Sequence, residues 1–344
     1  MVPKIVGSNP ISHPRRICTF ERSEVLFSLI PYIFPTLFAI LAKSRTNKGD
    51  KNQQNSSFVL QATVLLLKRL DHSSIACYNI IKDKGAFLMS DTRELLPVLL
   101  SEKSRKIKDS IYNRMQVDFA YYSNRIEGNH LTHDQTRYIY ETRTIDGTVP
   151  VNDVFEAANH FKCFDYILDT VSETITEDYI KQLHRMLKNG VMDDDADYAV
   201  IGDYKKYPNE VGEIETALPE EVADLIQNLL RKYEGKSSLD LYDIAEFHAI
   251  FEKIHPFYDG NGRIGRLIML KQRLANGIVP FFINEDIKHF YYIGLKEWQS
   301  DEKKERLIDV FLSMQDDMKA ILNYFRIDYD KTELKARDVI NKHI

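Results

Sequence analysis

Twelve consecutive residues, His255-Pro-Phe-Tyr-Asp-Gly-Asn-Gly-Arg-Ile-Gly-Arg266, constrain this chain more than any other feature. Upstream, Ile244, Phe247, His248, Phe251 and Ile254 recur at helical spacing. That helix has to stop near His255, because Pro256 disfavours the helical conformation in the residue before it. Gly260 and Gly262 let the backbone turn and approach a ligand with no Cβ in the way. A second helix follows, with Leu267, Ile268, Leu270 and Leu274 as its apolar face. Any fold that holds this segment packs two helices around a glycine loop, which aims free N–H groups and a positive dipole end at whatever sits there. Arg263 and Arg266, three residues apart, can point the same way and complete an anion trap suited to a polyphosphate. Asp259 is a hard oxygen ligand where Mg²⁺ would bridge phosphate oxygens. His255, with an unperturbed pKa of about 6.5, takes a proton near neutrality. Base, metal ligand and phosphate cradle together are equipment for phosphoryl or nucleotidyl transfer.

The rest of the chain from Met89 onward also reads as helices. Val154, Phe155, Ala158, Phe161, Phe164, Ile167 and Leu168 follow a period near 3.6, as do Ile180, Leu183 and Leu187. Thr132-His-Asp-Gln135 and Thr174-Ile-Thr-Glu177 match the capping box that satisfies orphan N–H groups at helix starts. Further helices are predicted at about 219–233, 240–254, 263–276, 285–297 and 303–325. Residues 203–218, rich in Tyr, Pro, Asn and Gly, read instead as a loop or short hairpin. The expectation is an all-α domain with one extended flap. Asp193, Asp194, Asp195 and Asp197 form an acidic loop read as solvated surface, since no glycine-containing calcium loop follows.

Composition adds a boundary. The net charge of −5 over 344 residues gives no reason to expect nucleic acid as a partner. That average hides two unlike parts: residues 1–88 hold 12 Lys/Arg against 5 Asp/Glu, and residues 89–344 hold 34 against 46. A shift this sharp marks a domain edge, a targeting segment or a misassigned start. Residues 25–42 form an apolar run, at the lower end of the length that spans a bilayer, but Pro31 and Pro35 interrupt it and basic residues flank both ends. Alternatively, Lys84-Gly85-Ala86 can be encoded by a purine-rich ribosome-binding sequence just ahead of a Met89 start codon. The segment 1–88 is thus expected to be leader or anchor. The protein is expected to be cytoplasmic, with a single membrane anchor near 25–42 as the alternative. Cys18, Cys77 and Cys163, odd in number and far apart, suggest neither a disulfide framework nor a zinc site.

The segment 255–266 resembles the signature of the Fic (Fido) family, His-x-Phe-x-Asp/Glu-Gly-Asn-Gly-Arg-x-x-Arg, at every defining position. Leu183-His184, Ala245 and His248, and Tyr291 and Leu295 support the resemblance, which spans about residues 90–330. It implies a helical core and transfer of AMP from Mg-ATP to a hydroxyl of a Ser, Thr or Tyr in a target protein, self-modification included. Carried over, His255 would be the base, Asp259 the Mg²⁺ ligand and Phe257 a core anchor. Asn261, Gly262, Arg263, Gly265 and Arg266 would form the ATP site. Relatives that transfer a terminal phosphate have Lys at the position of Gly262, so glycine favours AMP transfer. The flap, with Val211, Gly212, Glu213 and Ile214, would hold the target by strand pairing. Its usual Gly-x-Tyr-Arg entry reads Gly202-Asp-Tyr-Lys205 here. Tyr291 is a candidate for the adenine pocket, against the plainer reading as core.

Ser123-Asn-Arg-Ile-Glu127-Gly128 matches the family's inhibitory motif. Ser123 and Glu127 are i,i+4 on one helix face, and Gly128 can end the helix. The resemblance implies that Glu127 pairs with Arg266 and keeps it from the γ-phosphate, in cis or across a homodimer. The domains read as 1–88, N-terminal helices that include the inhibitory helix over 89–150, the catalytic core over 151–330 and a tail over 331–344. Two alternatives to an auto-inhibited transferase stand beside it: a de-AMPylase in which Glu127 orients water, and a non-enzymatic nucleotide sensor.

Overall fold

The computed structural model describes residues 93–191, 200–212 and 214–343, all belonging to the unit Ser90–Ile344. The expectations for 1–88, for the run 25–42 and the Met89 start, for the acidic loop at Asp193–Asp197 and for Glu213 lie outside the described residues. Among the described residues no helix is long and apolar enough to cross a membrane.

Eleven helices and one small hairpin make up the described chain: α1 (Leu95–Arg105), α2 (Ile111–Arg125), α3 (His133–Thr142), α4 (Val151–Asp169), α5 (Glu177–Leu187), β1 (Glu210–Val211), β2 (Ile214–Glu215), α6 (Pro219–Tyr233), α7 (Leu241–Ile254), α8 (Asn261–Ala275), α9 (Lys288–Asp301), α10 (Glu305–Tyr324) and α11 (Ala336–Asn341). Their starts follow local chemistry. Ser110 caps α2, and Thr132 and Gln135 form the expected reciprocal box at α3. Pro at the first position opens α6, where its missing N–H costs nothing. At α5 the expected cap is displaced: Thr176, not Thr174, accepts the Tyr179 N–H, and the helix begins at Glu177. At α9 the start moves from 285 to 288, because Asn284 first caps a turn by accepting the Ile287 N–H.

The core has three parts. The largest joins α1, α2, α4, α5, α6, α7, α8 and α10, with Phe164, Phe251, Phe257 and Ile264 fully buried. A second lies among α7, α9, α10 and α11 and includes Trp298, the only tryptophan of the chain, whose ring lies 5.6 Å from that of Tyr242. A third, smaller part lies between α2, α3 and α4. Helix α7 contributes to the first two, Phe247 and Phe251 to one and Tyr242 and Ile244 to the other. Helix α8 is buried nearly all round, beyond the single apolar face its sequence suggests. Its Arg273 is 1% exposed, stacks over Phe281 at 4.0 Å and donates to the Val279 carbonyl. The planar, weakly hydrated guanidinium suits such a position better than an ammonium would.

Candidate functional site

Helix α7 ends where Pro256 requires. His255 caps it in the left-handed conformation at φ 52°, and Gly260 repeats that conformation at φ 84° as the N-cap of α8. Between them the loop is clamped by Asn261, whose side chain donates to the Phe257 carbonyl at 2.8 Å and accepts the Phe257 N–H at 2.7 Å. The Asn261 side chain is therefore spent on the loop itself. The first bond of α8 runs from the Ile264 N–H to the Gly260 carbonyl, which leaves the N–H groups of Asn261, Gly262 and Arg263 as the helix's orphan donors. Gly262 is needed for space: a Cβ there would lie 2.3 Å from Glu127 Oε1 and 2.9 Å from Arg266 Nη1. Gly265 is needed for the same reason, since its Cβ would meet Glu252 Oε1 at 2.2 Å.

His184 on α5 fastens the loop from below. Its ring stacks on Phe257 at 3.9 Å, Nδ1 accepts the Gly202 N–H, and Nε2 lies 3.1 Å from the Asp259 carbonyl. Because Nδ1 accepts, the ring proton belongs on Nε2 and is donated to Asp259. Burial lowers the His184 pKa to about 4, so the ring is neutral. His255 is lowered to about 4 as well, first by burial and then by the charge of Lys205. A free-base imidazole is thus available across the whole neutral range.

Asp259 sits among cations. Lys188, the C-cap of α5, brings Nζ to 2.6 Å from Asp259 Oδ2, and Arg263 Nη2 lies 3.2 Å from the same oxygen. Arg263 also meets Glu156 of α4 at 2.5 Å. Burial would raise the Asp259 pKa, but Arg263 and Lys188 outweigh it and hold the carboxyl at about 2. The side chain keeps 47% of its surface exposed. A half-exposed, ionised carboxylate beside the orphan N–H groups of a helix start fits the chemistry of Mg²⁺, which binds one or two carboxylates and fills its shell with other oxygens and water.

Arg266 is held by α2. Its Nε donates to Ser123 Oγ at 3.0 Å, and Nη2 donates to the Ser123 carbonyl at 2.9 Å and to Glu127 Oε1 at 2.7 Å. The expected placement of Glu127 on the helix needs correction. Helix α2 ends at Arg125, and Glu127 lies in the following turn, which Gly128 closes at φ 97°. Lys288 of α9 fixes that turn by donating to the Ile126 carbonyl. Burial opposes ionisation of Glu127, yet the Arg266 guanidinium overrides it and lowers the pKa. On the other side of Arg266, burial raises Glu252 to about 8, leaving a neutral carboxylic acid.

The flap forms the expected hairpin. Val211 pairs with Ile214 and Glu210 with Glu215, and Gly212 turns the chain at φ 61°. Its base is fixed by Lys205. This buried ammonium donates to Asn209 Oδ1 and Thr216 Oγ1, both at 2.7 Å, while the Lys205 N–H donates to the Pro256 carbonyl. The substituted lysine thus ties the flap to the chain beside His255. Tyr291 is 1% exposed, and its hydroxyl lies 2.7 Å from His248 Nε2. The structure puts it in the core rather than on an open pocket wall. Sequence reasoning missed Lys188, Glu156 and Glu252. A single charged residue on a remote helix carries no motif, although Glu252, one turn after His248 on a buried helix, was a visible oddity.

A family model described as Fic/DOC family matches residues 174–272. The match contains the whole of 255–266 and stops short of Ser123–Gly128. Protein adenylyltransferase Fic of Nematostella vectensis is 27% identical over 264 residues, covering 72% of this chain and 57% of its own length. Its namesake in Drosophila melanogaster is 32% identical over 182 residues, 51% of this chain and 36% of its own. The chain thus spans only about a third to just over half of these curated relatives. Among solved structures, a Fic domain-containing signalling protein from Bacteroides thetaiotaomicron matches with a TM-score of 0.51 and 25% identity, over 67% of this chain and 90% of its own. Fic-1 of C. elegans matches with a TM-score of 0.53 over 80% of this chain and 79% of its own, at 19% identity that speaks to fold alone.

Proposed function

We propose that this protein, whose residues 174–272 match the Fic/DOC family model, is an auto-inhibited adenylyltransferase that moves AMP from ATP to a hydroxyl of a protein target. The observation that carries the auto-inhibited form is the Arg266–Glu127 contact at 2.7 Å, made by a guanidinium only 7% exposed.

In the active state His255 Nε2 accepts the proton of the target Ser, Thr or Tyr hydroxyl. The hydroxyl oxygen bonds to the α-phosphorus of ATP, the bond from that phosphorus to the bridging β-oxygen breaks, and pyrophosphate leaves. The proton on His255 then passes to solvent. The N–H groups of Asn261, Gly262 and Arg263 and the positive end of α8 hold the phosphates. Asp259 would hold Mg²⁺, which when bound neutralises phosphate charge. Arg266 grips the terminal phosphate only once Glu127 lets go. The flap, anchored by Lys205, presents a strand edge that aligns the target segment by main-chain pairing. While Glu127 occupies Arg266, the triphosphate is misaligned for attack, and near-attack geometry accounts for several kcal/mol in such reactions.

The test is labelling with α-phosphate-labelled ATP and Mg²⁺, with the chain itself and lysate as acceptors. Glu127→Gly is expected to raise labelling at least about tenfold over wild type, and His255→Ala in that background to abolish it. Absence of label in Glu127→Gly overturns the proposal.

A further inference from the structure

Helix α5 grips Asp259 twice. His184 holds its carbonyl, and one turn later Lys188 holds its carboxylate at 2.6 Å with a side chain only 3% exposed. Lys188 also lies 4.0 Å from Glu156, which in turn pairs with Arg263, so α4, α5, the glycine loop and α8 each contribute one charge to a closed ring. With the Arg266–Glu127 pair included, these ion pairs set three cations against three carboxylates among the described residues, and Lys205 adds one more positive charge on the flap side of the loop. A triphosphate brings more negative charge than this set leaves unbalanced, so each cation beside the loop counts.

We propose that Lys188 is a built-in counter-cation of the nucleotide site, which makes nucleotide binding only weakly dependent on divalent metal and sets Mg²⁺ in competition with its ammonium at Asp259. The inference rests on the adenylyltransferase reading in taking the bound anion to be a nucleoside triphosphate. Mg²⁺ binds a carboxylate oxygen at about 2.0–2.1 Å, and an ammonium already bonded to Asp259 Oδ2 repels a second cation arriving at the same carboxylate. Lysine is the residue for this task. It carries a compact charge and three donors on a flexible stem, so it can turn from the carboxylate to phosphate oxygens as a ligand arrives. The C-terminal end of α5 favours a cation at that position in either state. Without Lys188 the site loses one positive charge, on the wild-type and the Glu127→Gly background alike, and the divalent ion has to supply it.

The experiment uses the full chain carrying Glu127→Gly, with α,β-methylene ATP as a probe that cannot transfer AMP, titrated by calorimetry in EDTA and across a Mg²⁺ series. With Lys188 present, affinities in EDTA and in saturating Mg²⁺ are expected to agree within about threefold. In Lys188→Met, affinity in EDTA falls about thirtyfold and Mg²⁺ restores it, with a Mg²⁺ midpoint about tenfold lower than in the parent. Lys188→Arg keeps the parent's weak dependence. Should Lys188→Met not fold, Lys188→Gln keeps the hydrogen bond without the charge and reads the same way. Equal Mg²⁺ dependence with and without the lysine overturns the inference. So does a uniform loss at every Mg²⁺ level, which is what a purely structural tie would give. Failure of the Glu127→Gly chain to bind the probe at any Mg²⁺ level instead overturns the adenylyltransferase reading itself.

Discussion

His255 shows how one side chain is tuned by where its helix stops. The left-handed cap aims it out of α7 while leaving it mostly buried, and burial with the nearby Lys205 charge lowers its pKa to about 4. A base works when neutral, so with His255 as the proposed base the acid limb of kcat/KM should fall about 2.5 units below a free imidazole at about 6.5. On the Glu127→Gly background, the pH profile of adenylyl transfer is expected to stay flat from pH 8 down to about 5 and then drop. A limb centred at 6.5 would show that the histidine is not held in this environment. Arg266 illustrates the opposite dependence on surroundings. Its charge is never in question, so its state is set by partners alone, and the short reach from Ser123 and Glu127 decides which anion it meets.

At the scale of elements, the flap depends on a lysine that no carboxylate balances among its described contacts. Burial alone lowers the Lys205 pKa to about 8, and its donors tie residues 209 and 216, on the two sides of the hairpin, to each other. Lys205→Met removes both donations, at a cost of about 1–3 kcal/mol, and leaves the Thr216–Asn209 hydrogen bonds to hold a loosened hairpin base. The expected result is a KM for the protein target raised about tenfold with ATP affinity nearly unchanged, measured on Glu127→Gly. Equal losses in both would mean that the loop, rather than the flap, has been disturbed. Much of this scale was legible in the sequence. Residues 219–233 form a helix between Pro219 and Tyr233 as the periodicity predicts, and the glycine loop fell where Pro256 and two glycines required. Local rules fixed these features. What stayed hidden was long-range: nothing near Lys188 announces Asp259, 71 positions away, and the choice of Thr176 over Thr174 as cap came from competing hydroxyls with equal local claims. Glu127 was legible as a partner for Arg266 through family resemblance, while its seat in a turn fastened by Lys288 was not.

Across the described residues, three buried histidines and the partly buried His255 share one fate. Burial lowers His160 and His248 to about 3 and His184 and His255 to about 4. The unfolded chain binds protons at these positions from about pH 6.5 downward, while the folded chain refuses them until much lower pH. Stability is therefore full above about 6.5 and lost as pH falls toward 4, by on the order of 1–2 kcal/mol per histidine at pH 5. Thermal melts at pH 7.5 and pH 5 are expected to separate by several degrees, the acid one lower, and coincident melts would contradict this. Long reach also joins the two ends of the described body, where Arg93 and Asp328 exchange backbone and side-chain hydrogen bonds. Trp298, finally, has an optical consequence. It is the sole indole of 344 residues and lies against Tyr242 in the first turn of α7, while His255 caps the other end of that helix, about 20 Å along. Its emission is a remote gauge: nucleotide arriving at the loop can reach it along α7 or through α9, which carries Trp298 and whose Lys288 holds the turn of Glu127, so a fluorimeter can tell whether chemistry at the loop is felt at the far end of α7.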